Sequence, residues 1–291
     1  MKNRTSNDAE KTTEKSLDFE KFVLTIEVVP PGGNDPEALL KSLVSLGDLP
    51  VNGFSVATNP VAKPRMCAMA LCALIQQRTG LPAVFHCTTR DHNRISLQSL
   101  MWGAKALGVS SVLVATGDFV AMADRNIVSD VKDVNVFELV TMARDSGLHT
   151  GAVLDFRPEV NGLDREVKRL EKKVAAGAQY AVTQPIYDRD TAKEIARAVA
   201  HLNIPVIMGI LPLRTPKHAD FLHDRVAGIA VPEPLRKRMH GATDSVAEGV
   251  LNAREMVAVA REFFQGACVM PPFDHYEILP DILAGEIPLP G

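Results

Sequence analysis

Short apolar runs alternate with longer stretches of helical period along almost the whole chain, and this alternation restricts the possible fold more than any other feature. The runs fall at residues 22–29, 53–57, 83–88, 111–116, 150–156, 180–183, 205–210 and 267–270. Between them, Leu163, Val167, Leu170 and Val174 recur at helical spacing with Lys168, Glu171 and Lys172 on other faces, as an outer-layer amphipathic helix requires. Similar patterns cover 64–78, 93–107, 136–146, 189–200 and 247–264. Strands separated by helices must pair in parallel, because each helix carries the chain back across the sheet. Eight such units with no break in composition predict an α/β chain folded as one closed (β/α)8 barrel over residues 19–291, with extra C-terminal helices. An open doubly wound sheet is the alternative, weakened because no strand is followed by GxGxxG or GxxxxGK[ST]. Residues 1–18 hold too little apolar surface to offset their ordering entropy and read as a disordered tail.

Composition narrows the function. With 32 basic against 35 acidic residues and no basic run, the footprint of non-specific nucleic-acid binding is missing. No apolar run is long enough to span a bilayer, and the polar N-terminus is unlike a signal peptide. The four cysteines lack paired CxxC spacing, which favours a reducing compartment, so a cytoplasmic protein is expected; Cys67 and Cys72 read as core filler. His86, Asp91 and His92 show no recognised ligand spacing, and no metal is expected.

In a barrel of this type, chemistry sits where the strands end. The first run carries Glu27 among β-branched neighbours, where desolvation would raise its pKa toward that of a general acid. The fourth ends in Ala115-Thr116-Gly117-Asp118, followed by a long loop. The third ends in His86-Cys87-Thr88-Thr89-Arg90-Asp91 and the sixth in Thr183-Gln184-Pro185. Each has an ordinary structural reading beside the functional one: a salt-bridged Glu, an N-capping Asp, a strand stopped by proline.

The ordered set of Glu27 in TIEVVPP, His86 to Thr88, Thr116-Gly117-Asp118, Lys173 in EKKVAAGA, Gln184 in AVTQPIYD and Gly209 in GILPLRTP resembles the methylenetetrahydrofolate reductase family. The resemblance runs from about Phe22 to the C-terminal MPPFDHYEILPDILA and is nearest to the branch linked to methyltransferase systems. It implies a (β/α)8 barrel that binds FAD at its mouth, takes electrons from NADH or NADPH, and interconverts 5,10-methylenetetrahydrofolate and 5-methyltetrahydrofolate in one-carbon metabolism. It also implies roles. Glu27 matches the general acid that opens the imidazolidine ring, Asp118 the carboxylate near pterin and flavin, and Gln184 the side chain that hydrogen-bonds the pterin. His86, Thr88, Thr116, Gly117 and Lys173 match positions lining the flavin and its phosphates, with Arg157 as a replacement phosphate contact.

Two departures stand out. Ala115-Thr116 replaces a Leu-Arg pair of many relatives, and Val153 stands where an aromatic flavin contact is often found. Two other readings therefore stay open: a folate-binding partner subunit of a methyltransferase system, and a flavin-independent NAD(P)H-folate reductase. The resemblance further implies a homo-oligomer, with a methyltransferase or electron-transfer protein as a possible partner.

Overall fold

The structure, a computed structural model, describes residues 15–155, 162–226 and 228–283. Eight parallel strands close into a barrel in chain order: β1 Val23–Val28, β2 Gly53–Val56, β3 Ala83–Thr88, β4 Ser111–Ala115, β5 His149–Leu154, β6 Tyr180–Pro185, β7 Val206–Ile210 and β8 Gly266–Val269. Each coincides with one of the apolar runs. The ring shuts where β1 pairs with β8 through Val23–Gly266 and Ile26–Val269.

Around it lie α1 Glu37–Val44, α2 Ala68–Thr79, α3 Arg94–Ala106, α4 Val136–Asp145, α5 Leu163–Ala176, α6 Arg189–Val199, α7 Pro216–Arg225, α8 Glu233–Gly241, α9 Ser245–Phe263 and α10 Leu279–Leu283. Four of these, α1, α7, α8 and the five-residue α10, are short helices that periodicity did not reveal. Helix α1 spans two turns between proline- and glycine-rich flanks. Helix α7 starts at Pro216 behind the Thr215 cap, and α8 begins at Glu233 after Pro232. Together α7 and α8 enclose a separate small core of Leu213, Ala219, Leu222, Val231, Leu235 and Met239.

Alternation along each strand divides the apolar residues between two cores. Leu24, Ile26 and Val28 of β1 point outward into the layer shared with the helices, whereas Val23 points into the lumen with Val84, Leu113, Tyr180, Val182 and Ile207. Tyr180 fills the lower lumen: its hydroxyl donates to the Val112 carbonyl at 3.1 Å, and its ring occupies the space above Gly151. The N-terminal segment closes the bottom. Leu17 is buried and Phe19 stacks on Tyr180 at 5.2 Å. Lys15 is tied in through Ser110 Oγ, which donates to its carbonyl at 2.6 Å. Among the described residues, Lys15 and Leu17 thus pack on the barrel although they lie in the stretch whose composition suggested a tail; Leu17 and Phe19 are apolar side chains that the lumen takes up.

Candidate active site

Inward positions at the C-terminal strand ends are polar where those at the bottom are apolar. With Ile26 and Val28 facing the helices, Glu27 must face the lumen, beside Ser55 of β2 in register. Loss of hydration, reinforced by the negative charge of Asp118, raises its carboxyl to about 7. A carboxyl raised this far is partly protonated near neutral pH, in keeping with the desolvation expected of its β-branched surroundings. Behind it, Tyr276 is buried after β8, its phenol pushed upward by burial and by Asp274 and Glu27.

On β3, His86 faces the lumen and shares a 2.8 Å hydrogen bond between Nε2 and Ser55 Oγ. Burial lowers it to about 4, so at neutral pH the imidazole is uncharged. Thr58 donates to the His86 carbonyl. His86 and Thr88 line a cavity of about 210 Å³ with Met66, Cys67 and His92. Cys67 is exposed at the head of α2, unlike the buried Cys72, because it lies before the first turn that packs on the barrel.

Strand β4 leads into Thr116, Gly117 and Asp118, all exposed at the mouth. Gly117 has φ +89°, and a Cβ there would lie 3.1 Å from that of Thr88, so only glycine turns the chain here without strain. Asp118 Oδ2 accepts from the Val61 backbone N–H at 2.6 Å. These residues and Thr89, Arg90, Lys132, Asp155 and Arg169 line a second cavity of about 340 Å³. The long loop after Asp118 runs through a short 3-10 turn at Met122–Asp124 to the Asn135–Glu138 capping box of α4.

Gln184 interrupts β6. The β6–β7 register shifts between Val182 and Pro185, where Thr183 Oγ1 accepts from Gly209 N at 3.0 Å. Gly209 is required there because a Cβ would lie 2.7 Å from the Thr183 carbonyl. Gln184 Nε2 donates to Asp155 Oδ1 at 3.3 Å, which fixes the orientation of its amide. Lys173, by contrast, is buried beneath α5 and donates to the Val153 carbonyl, its ammonium lowered to about 8 by burial and by Arg169. The α5 cation lining the cavity is Arg169, one turn earlier. Arg157 lies outside the described residues.

Residue types alone gave no role to Ser55, Asn59, Arg90, Asp155, Arg169 or Tyr276. Ser55 lies within β2, and Arg90 and Asp155 stand at strand ends, so these could have been found by position; Asn59, Arg169 and Tyr276 come from neighbouring loops and helices that only the fold brings near.

A family model described as methylenetetrahydrofolate reductase matches residues 12–269. The 5,10-methylenetetrahydrofolate reductase of Pectobacterium carotovorum subsp. carotovorum is 25% identical over 193 residues, covering 65% of this chain. The chain spans 64% of that relative's length. The enzyme of the same name from Escherichia coli strain K12 is 24% identical over 227 residues, covering 76% of this chain and 74% of that protein. Among solved structures, a Clostridium thermocellum protein described as binding two copies of 5-methyl-5,6,7,8-tetrahydrofolic acid aligns with a TM-score of 0.65. It covers 90% of this chain and 93% of its own at 15% identity, a likeness of fold. With the model spanning nearly all of the barrel that holds Glu27, Asp118 and Gln184, the chain belongs to the methylenetetrahydrofolate reductase family.

Proposed function

We propose that the barrel mouth interconverts 5,10-methylenetetrahydrofolate and 5-methyltetrahydrofolate, using FAD and an electron supply from NADH or NADPH. The observation that carries this reading is Glu27, a lumen-facing carboxyl raised to about 7 by burial and by the charge of Asp118, and so still partly protonated near neutral pH. Opening the imidazolidine ring of the methylene folate needs a proton delivered to a ring nitrogen, and a carboxylic acid with a pKa near 7 suits that transfer. Ring opening leaves a cationic iminium, which the Asp118 carboxylate would stabilise. Gln184, its Nε2 committed to Asp155, presents its carbonyl oxygen as an acceptor for an N–H of the pterin edge.

The residues present fit a flavin. Thr88, Thr89 and Thr116 offer hydroxyls, Gly117 leaves bare backbone, and Lys132 and Arg169 offer positive charge for a pyrophosphate. Exposed Phe119, Met122 and Ile127 on the loop after β4 and Val61 on the loop after β2 offer apolar cover for a flat ring system. FAD, when bound, would supply hydride transfer to and from the one-carbon unit. Neutral His86, fixed by Ser55, would add no charge beside it. Val153 lies with the lumen core below the mouth, so stacking on an aromatic side chain of β5 is not part of this site.

The test is turnover: protein loaded with FAD and given NADH or NADPH with 5,10-methylenetetrahydrofolate should form 5-methyltetrahydrofolate. Product formed equally well without flavin would favour direct transfer from the nicotinamide, and folate binding without any product would favour a carrier role. The pH profile gives a further expectation. Because the step requires protonated Glu27, its single-turnover rate should fall as pH rises through about 7. In Asp118→Asn the fall should begin at lower pH, since the charge that raises Glu27 is gone, and the rate should drop roughly tenfold or more. An unchanged profile in Asp118→Asn would separate the two carboxylates functionally.

A further inference from the structure

We infer that Arg90 is the positioning residue of this site, a buried guanidinium that clamps the loops after β2 and β4 together and so fixes the Asp118 carboxylate at the barrel mouth. The inference rests on the reading of Glu27 and Asp118 as the reacting pair.

Arg90 is only 6% exposed. Its Nε and Nη2 donate to the two Asp91 carboxylate oxygens at 2.5 and 2.8 Å, a forked pair that fixes the guanidinium plane. Nη1 donates to the Asp118 carbonyl at 3.0 Å, and Nη2 to the Asn59 carbonyl at 3.0 Å. One planar group thus reaches both loops. Asp91 is itself held by Asn59 Nδ2 at 3.0 Å and Thr88 Oγ1 at 3.3 Å. Burial alone would raise its carboxyl, but the bonds from Arg90 and Asn59 hold it below the ordinary range.

The clamp fixes the Asp118 carboxylate from two sides. Its own main chain is held by Nη1, while Asn59, held by Nη2, leads two residues on to Val61, whose N–H holds Asp118 Oδ2. That second path is strained. Asn59, Val61 and Ala62 have φ of 42°, 51° and 55°, and for a β-branched residue such as Val61 this region is unfavourable. Such a conformation persists only where surrounding contacts impose it. The Arg90 and Asp91 bonds to Asn59, with Arg65 N on Asn59 Oδ1 at 2.9 Å, are those contacts. Lysine cannot substitute, because one ammonium cannot span a carboxylate and two carbonyls in a plane.

The groups facing Glu27 are Ser55 of β2, Cys268 of β8, Tyr276 and Asp118. Of these, only Asp118 is reached by Arg90, so displacing the clamp should be read at Glu27 through Asp118. The experiment follows the Glu27 carboxyl stretch by infrared titration of the purified full chain, assigned by its loss in Glu27→Gln, in wild type, Arg90→Lys and Asp118→Asn. In Arg90→Lys the midpoint should fall by about half a pH unit or more, toward that of Asp118→Asn. Amide exchange at Val61 and Ala62, whose N–H groups are bonded to Asp118 and Asn59, should accelerate roughly tenfold. If Arg90→Lys does not fold, Asp91→Asn, which removes the fork's charge but keeps its shape, should shift the midpoint in the same direction. An unchanged midpoint together with unchanged exchange in the folded variant would overturn the role. A wild-type chain that turns over no folate while its Glu27 midpoint still moves in Arg90→Lys would keep the clamp and remove the folate reading.

Discussion

Glu27→Gln is expected to slow the folate half-reaction about a thousandfold while leaving reduction of the bound flavin by NADH or NADPH within a factor of two. The amide keeps the shape of the carboxyl and has no acidic proton to give. Only the folate half needs that proton. Rapid-mixing measurements of each half-reaction decide the matter: equal losses in both would assign Glu27 to binding or folding instead. Stability supplies an independent check with its own sign. A carboxyl raised from 4.5 to about 7 means that the folded chain binds more protons than the unfolded chain between those values. Stability contributed by Glu27 is therefore complete below pH 4.5 and is lost as pH rises through 7. In Glu27→Gln that decline should be missing, and a variant whose stability falls with pH as steeply as wild type would show that Glu27 is not the group responsible.

The largest expected effect on stability lies in the packing of α9. Gly249, inside α9, approaches the β7–α7 connection so closely that a Cβ would sit 1.8 Å from the Leu213 carbonyl oxygen and 2.7 Å from its carbon. Backbone on both sides cannot give way like the end of a side chain, so Gly249→Ala should cost about 3 kcal/mol or more. For a chain of this size that lowers the thermal midpoint by roughly 6–12 °C. Gly103→Ala in α3 is the matched control. Its Cβ would meet only Met69 Cε at 3.6 Å, an ordinary contact. There alanine should stabilise by about 0.5–1 kcal/mol through helix propensity. Similar midpoints for the two variants would mean that α9 does not pack on Leu213 as closely as described.

The barrel was legible in the sequence because its strands are buried on both faces and separated by helices, which gives apolar runs a length and spacing that few other folds share. All eight runs became strands. What escaped was local. Helix α1 is too short for a period to show, and α7 and α8 carry their apolar residues into a small core of their own. Leu17, in the segment whose composition suggested a tail, meets the open bottom of the barrel together with Phe19, a surface that only closure of the sheet creates.

For the site, position along a strand was the informative signal. Glu27, flanked by outward-facing Ile26 and Val28, could be placed inward and given a raised pKa from its neighbours alone. Its second influence, Asp118, lies three strands away, and no spacing encodes that meeting. The same limit applies to the phosphate-binding cations. Lys173 and Arg169 are one turn apart on α5, and which of the two opens into the cavity depends on how that helix sits on β5. Arg90 followed a strand end in plain view, but its importance lies in two carbonyls from other loops, which residue types do not announce.

The most direct test of the central claim is the visible spectrum of the purified protein, supplied with FAD, desalted and kept anaerobic, before and after addition of 5-methyltetrahydrofolate. Retained flavin that bleaches on adding the folate, and recovers when 5,10-methylenetetrahydrofolate is added in excess, is the expected result. Flavin that stays oxidised in the presence of bound 5-methyltetrahydrofolate, or that never binds at all, would contradict a flavin-linked folate reductase.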